Sequence, residues 1–146
     1  SDNKFCGLIL LMYTDGLGNP LTQQKYTVEH ILSQKPKEND WKEDFPNLFS
    51  IEDDERRVAF NESVFCIGNM MLLEDRANKS LGNLGFEKKK NKMKDLSLLD
   101  ILPADNGYNI FKVSHFTQDT INSRFEEIKK VITKKYSGFK FNITNG

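Results

Sequence analysis

The sequence predicts a mostly helical domain with one small β-hairpin, and three observations carry that expectation. Behind Thr117, the residues Ile121, Phe125, Ile128 and Ile132 recur at helical spacing as far as Tyr136. Two short β-prone pieces, Tyr26 to Leu32 and the run around Ile67 to Leu72, stand apart in an otherwise helix-patterned chain. The 146 residues, 38% hydrophobic and 29% charged, fit one domain able to bury a core.

The elements follow in order. Phe5 to Tyr13 reads as the end of an apolar helix, closed by the turn-rich run Thr14 to Pro20. So abrupt an apolar opening is expected of a domain cut from a longer chain. Ser33 to Pro46 is polar, contains Pro36 and Pro46, and reads as a loop pinned to the core by Trp41. A helix is expected from Ser50, as N-cap with Asp53 completing a capping box, to about Asn61. The basic stretch after residue 75 reads as one or two short helices broken near Gly82 and Gly85. The longest apolar run, Leu8 to Met12, is far too short to cross a bilayer, and no basic-then-apolar leader precedes it. The two cysteines, Cys6 and Cys66, form no CxxC pair, which argues against a zinc knuckle or a disulfide framework. A reduced, cytoplasmic protein is expected.

The net charge of zero hides an asymmetry. Residues 1–60 carry 11 acids and 7 bases, whereas residues 61–146 carry 10 acids and 14 bases. Seven of those bases lie between Arg76 and Lys94 against the single acid Glu87. Such a cluster attracts phosphate backbones through counterion release. Taken alone, a lysine run is more often a solvated helix face.

The chemistry centres on two histidines. His115 has no distinctive company and reads as structural. His30 directly follows the acid Glu29, and asparagines stand at Asn69, Asn78 and Asn83. The stretch Val28-Glu29-His30-Ile31, followed by Asn69 and, nine residues later, Asn78, resembles the motif of HNH (His-Me finger) nucleases. The order Glu-His-Ile-Leu, Trp41, Ile-Gly-Asn-Met-Met-Leu-Leu, Asn78, Asn83, Phe86 and Lys89 resembles one subfamily more closely. That subfamily is the C-terminal domain of GmrSD-type modification-dependent restriction endonucleases. Ile121 to Arg124 resembles the Ile-x-x-Arg segment of its closing helix. The likeness spans roughly residues 5 to 136.

The resemblance implies a ββα-metal core over about residues 26–90, embedded in a helical domain that closes with the helix at about 117–136. It implies His30 as the general base and Asn69 as the residue that orients it. Glu29 and Asn78 would hold one Mg²⁺ or Mn²⁺, since hard oxygen donors suit such ions. Lys79, Lys88, Lys89 and Lys90 would contact DNA phosphates, with Lys89 matching the family's Phe-x-x-Lys. The implied partners are double-stranded DNA, modified in some cases, and an N-terminal nucleotide-hydrolysing domain in the same or a partner chain. No phosphate-cradling glycine loop occurs in this sequence, so that hydrolysis is expected elsewhere. The implied role is restriction of foreign DNA.

Three departures from the family pattern stand out. Glu29 takes the place of a common aspartate, Ser33 stands where proline is frequent, and the connection from His30 to Asn69 is long. Its excess length is expected to be an inserted helix over residues 50–61. The competing reading is a non-catalytic nucleic-acid-binding helical domain, in which His30 is a hydrogen-bonded core residue.

Overall fold

The computed structural model describes residues 2–18, 26–50, 52–74, 81–93 and 110–138. Within them the chain is mostly helical with a single two-stranded sheet, as the sequence predicts. In order, the elements are α1 (Asp2–Gly16), β1 (Tyr26–His30), a single turn α2 (Glu38–Trp41), α3 (Asp53–Val64), β2 (Met70–Glu74), α4 (Phe86–Met93) and α5 (Gln118–Lys135).

Helix α5 matches its sequence pattern. Thr117 caps it, accepting a hydrogen bond from the Thr120 amide while the Thr120 hydroxyl accepts from the Thr117 amide. Ile121, Phe125, Ile128 and Ile132 form its buried stripe. This face packs on α1 and on the 3-10 turn Ile67–Asn69 that leads into β2. Contact at that turn is intimate: a Cβ on Gly68 would lie 2.1 Å from the carbonyl oxygen of Ile121. Arg124, fully buried, donates to the carbonyls of Gly68 (3.3 Å) and Met70. The closing helix thus seats directly under the segment carrying Asn69.

Helix α1 runs three residues beyond its expected end. Thr14 turns its hydroxyl back to the carbonyl of Leu10 (2.8 Å), so a turn-prone residue is absorbed into the helix. Termination comes at Gly16, and Gly18 adopts the left-handed region at φ 80°. The helix at residues 50–61 also forms, but shifted, as α3. Ser50 is not its N-cap. Ser50 closes the 3-10 turn Pro46–Phe49, and Glu52 takes the cap position without a side-chain hydrogen bond. Asp53, Asp54 and Glu55 in the first turn supply the favourable dipole interaction instead. The polar stretch from Ser33 to Pro46 contains the turn α2, and Trp41 is buried against Phe45 as expected.

β1 and β2 pair antiparallel with Tyr26 opposite Glu74 and His30 opposite Met70. α2 and α3 lie between them in the chain, so the two strands meet across a long connection. Met71, Leu72 and Leu73 of β2 are buried together with Ile31 and Leu32 just beyond β1. Among the described residues, no helix is long and apolar enough to cross a membrane.

Candidate active site

The end of β1 is fastened by several hydrogen bonds. The Ile31 amide donates to the Asn69 carbonyl (2.9 Å), continuing the sheet pairing one step past His30. The fully buried Asn69 side chain then accepts from the Leu32 amide (2.7 Å) and donates to the carbonyls of Leu32 and Val64 (3.0 Å each). One amide therefore ties the exit of β1, the end of α3 and the entry to β2. Asparagine suits this position because a single planar group both donates and accepts. Ser33 adds a further tie, donating to Asn83 Oδ1 at 2.6 Å. Where proline is frequent in the resembled pattern, the hydroxyl thus links the strand exit to the loop before α4.

Between these fasteners sit Glu29 and His30, each about 9% exposed. The imidazole lies edge-on to the ring of Phe65, with centroids 6.1 Å apart. Its Nε2 is buried, with no hydrogen-bond partner among the described residues. Burial, aided by the nearby Lys89 charge, pushes the His30 pKa down from 6.5 to about 4, so the imidazole is neutral at physiological pH. Asn69 reaches the backbone beyond His30 and makes no bond to the ring.

Glu29 is paired from an unexpected direction. Lys89 on α4 donates to Glu29 Oε1 (2.7 Å) and to the His30 carbonyl (2.8 Å). Burial raises the carboxyl above its ordinary range and lowers the ammonium below its own, while each charge opposes the other's shift.

The lysine run divides sharply. Lys88 is exposed. Lys89 faces inward with 1% of its side chain exposed. Lys90 is also turned in: its ammonium donates to the Val113 carbonyl (3.2 Å), pairs with Glu87 (2.9 Å) and lies 5.2 Å from the centre of the Phe86 ring. Lys89 and Lys90, expected at phosphates, thus spend their charges inside the protein. The reason is helical phase. Phe86, Lys89, Lys90 and Met93 occupy positions i, i+3, i+4 and i+7, the inward stripe of α4. Asn78 and Lys79 lie outside the described residues. His115 is a surface group 3.3 Å from Asp44.

No group of three His, Cys, Asp or Glu side chains able to cage a metal occurs among the described residues. Glu29, with one oxygen on the Lys89 ammonium, is a carboxylate, the kind of oxygen donor that hard divalent ions take.

The family model for the C-terminal domain of GmrSD restriction endonucleases matches residues 6–131. The chain belongs to that family. No curated protein and no solved structure matches it. As a GmrSD C-terminal domain, it is a restriction-endonuclease-related domain of a family acting on DNA. The matched span covers every fastener described above, from Asn69 and Lys89 to Arg124. In the sequence Arg124 and Ser33 are pattern positions only, with no mechanical role legible at either. Phe65 carried no sequence signal, because a lone phenylalanine after an apolar helix end looks like any core residue.

Proposed function

We propose that the chain is a metal-dependent DNA endonuclease domain of the HNH (His-Me finger) type, with His30 as the general base. The observation that carries this reading is the His30 imidazole: neutral, almost enclosed, and with no partner for Nε2 among the described residues. The large majority of core histidines have their ring nitrogens satisfied. A base waiting for water needs one free, so the competing binding-only reading fits this group less well.

Glu29 and Asn78 would hold the ion, Mg²⁺ or Mn²⁺. When bound, such an ion supplies charge stabilisation at the scissile phosphate and the leaving 3′ oxygen. The protein's own residues do the rest. His30 accepts the proton of the attacking water at Nε2. Asn69 holds the backbone just past His30 so that the ring keeps one position, and Phe65 shields the ring from bulk water. Lys79 and Lys88 contact phosphates and set affinity. In-line attack leaves 5′-phosphate and 3′-hydroxyl ends. The domain is a C-terminal part of a larger cytoplasmic defence protein that restricts modified foreign DNA, with nucleotide hydrolysis in an N-terminal domain of the same or a partner chain.

The test is cleavage of supercoiled plasmid, with the ends read by ligation. Conversion to nicked or linear DNA that requires Mg²⁺ or Mn²⁺, stops with chelator and yields ligatable ends is expected. Retarded but intact plasmid under every metal condition would favour the binding-only reading.

A further inference from the structure

We infer that Lys89 is a positioning residue that aims the Glu29 carboxylate at the metal ion; the inference rests on the metal-ligand reading of Glu29 above. Lys89 bridges two consecutive residues of β1, holding the side chain of one and the main chain of the next. Its ammonium therefore fixes the carboxylate relative to the strand itself.

Only Oε1 is engaged by that contact. The Glu29 side chain keeps 11% exposure while that of Lys89 keeps 1%. The lysine is the more enclosed of the pair, and in this inference the other carboxylate oxygen is the one that meets the ion. A carboxylate free to rotate would lose entropy on meeting an ion, and one already held does not. Outer partners that orient a ligand in this way are commonly worth 10–100-fold in metal affinity.

A phosphate contact would require the ammonium to leave two short bonds and cross to the surface from a nearly sealed position. A plain structural ion pair would make the same two bonds, because a buried ammonium needs acceptors for its donors, so metal binding is what separates the two roles.

The test is Mn²⁺ binding followed by electron paramagnetic resonance without DNA, with circular dichroism and thermal melting on each variant. Wild type is expected to bind, and Glu29→Gln to lose at least tenfold. Lys89→Met is expected to keep its helical signal and bind about 10–100-fold more weakly. Lys89→Arg gives a second reading if Lys89→Met does not fold. It preserves the charge and the pairing, yet its forked donors engage both carboxylate oxygens, so a loss of tenfold or more is expected with little change in melting temperature. A structural ion pair would leave Lys89→Arg binding Mn²⁺ like wild type, and that result overturns the inference. A folded Lys89→Met with wild-type Mn²⁺ affinity overturns it as well. If Glu29→Gln binds as tightly as wild type, the metal-ligand reading itself has failed, and the inference falls with it.

Discussion

At the scale of single residues, His30 ties function to stability. Its ring titrates at about 4 in the folded protein, against 6.5 for the unperturbed group. Between those values the unfolded chain binds a proton that the folded state refuses. Stability is thus complete with respect to this group above about pH 6.5 and is lost as the pH falls toward 4. The shift corresponds to roughly 3 kcal/mol at most. Urea unfolding of wild type and His30→Ala across that window checks it: the wild-type curve should fall more steeply, and parallel curves would contradict the burial argument. Asn69 is the second residue with a sharp expectation. Asn69→Ala leaves the Leu32 amide and the carbonyls of Leu32 and Val64 buried without that partner, at a cost of about 3 kcal/mol or more. Asn69→Asp should fare worse still, because a carboxylate cannot donate to either carbonyl. A denaturant midpoint near wild type for either variant would refute the three-way tie.

At the scale of elements, the approach of α5 to the turn before β2 is what places Asn69. Gly68→Ala must push α5 away, since its new Cβ would sit 2.1 Å from the Ile121 carbonyl. A loss of about 1–3 kcal/mol or more is expected. Gly7→Ala is the contrasting case: a Cβ there meets only Val28 at an ordinary 3.7 Å, within helix α1. It should stabilise by about 0.5–1 kcal/mol. Thermal melts of the pair would contradict this packing if both moved the same way. These elements also show how much was legible in advance. The α5 stripe is legible from helical periodicity and both strands from β-prone composition, although β2 starts only at Met70 because Ile67–Asn69 forms a 3-10 turn. The start of α3 differs because local chemistry offers two options: Ser50 can cap a helix, but the 3-10 turn takes it first. The inward lysines are legible only when helical phase is read ahead of charge. Lys89 and Lys90 stand between Phe86 and Met93 at stripe spacing, and that signal was present in the sequence. Pairing of Lys89 with Glu29 was not, since it joins residues 60 positions apart.

At the scale of the whole molecule, the inward turn of Lys89 and Lys90 reduces the basic surface offered to DNA below what the seven bases between Arg76 and Lys94 imply. Affinity should therefore respond unequally to neighbouring lysines. Lys88→Ala should lower the slope of log affinity against log salt by about 1. Lys89→Ala should leave the slope unchanged, because its charge already serves Glu29. Equal slope changes for the two would mean that both ammonium groups reach phosphate. Belonging to the GmrSD C-terminal family places the chain among restriction-endonuclease-related domains, and the arrangement around β1 gives that membership a chemical centre. The measurement that tests this centre most directly compares wild type and His30→Ala for plasmid cleavage in Mg²⁺, with DNA binding followed in parallel. Unchanged binding and a fall in cleavage rate of about 10²–10⁴-fold are expected. Cleavage at the wild-type rate by a folded His30→Ala protein would rule out His30 as the base.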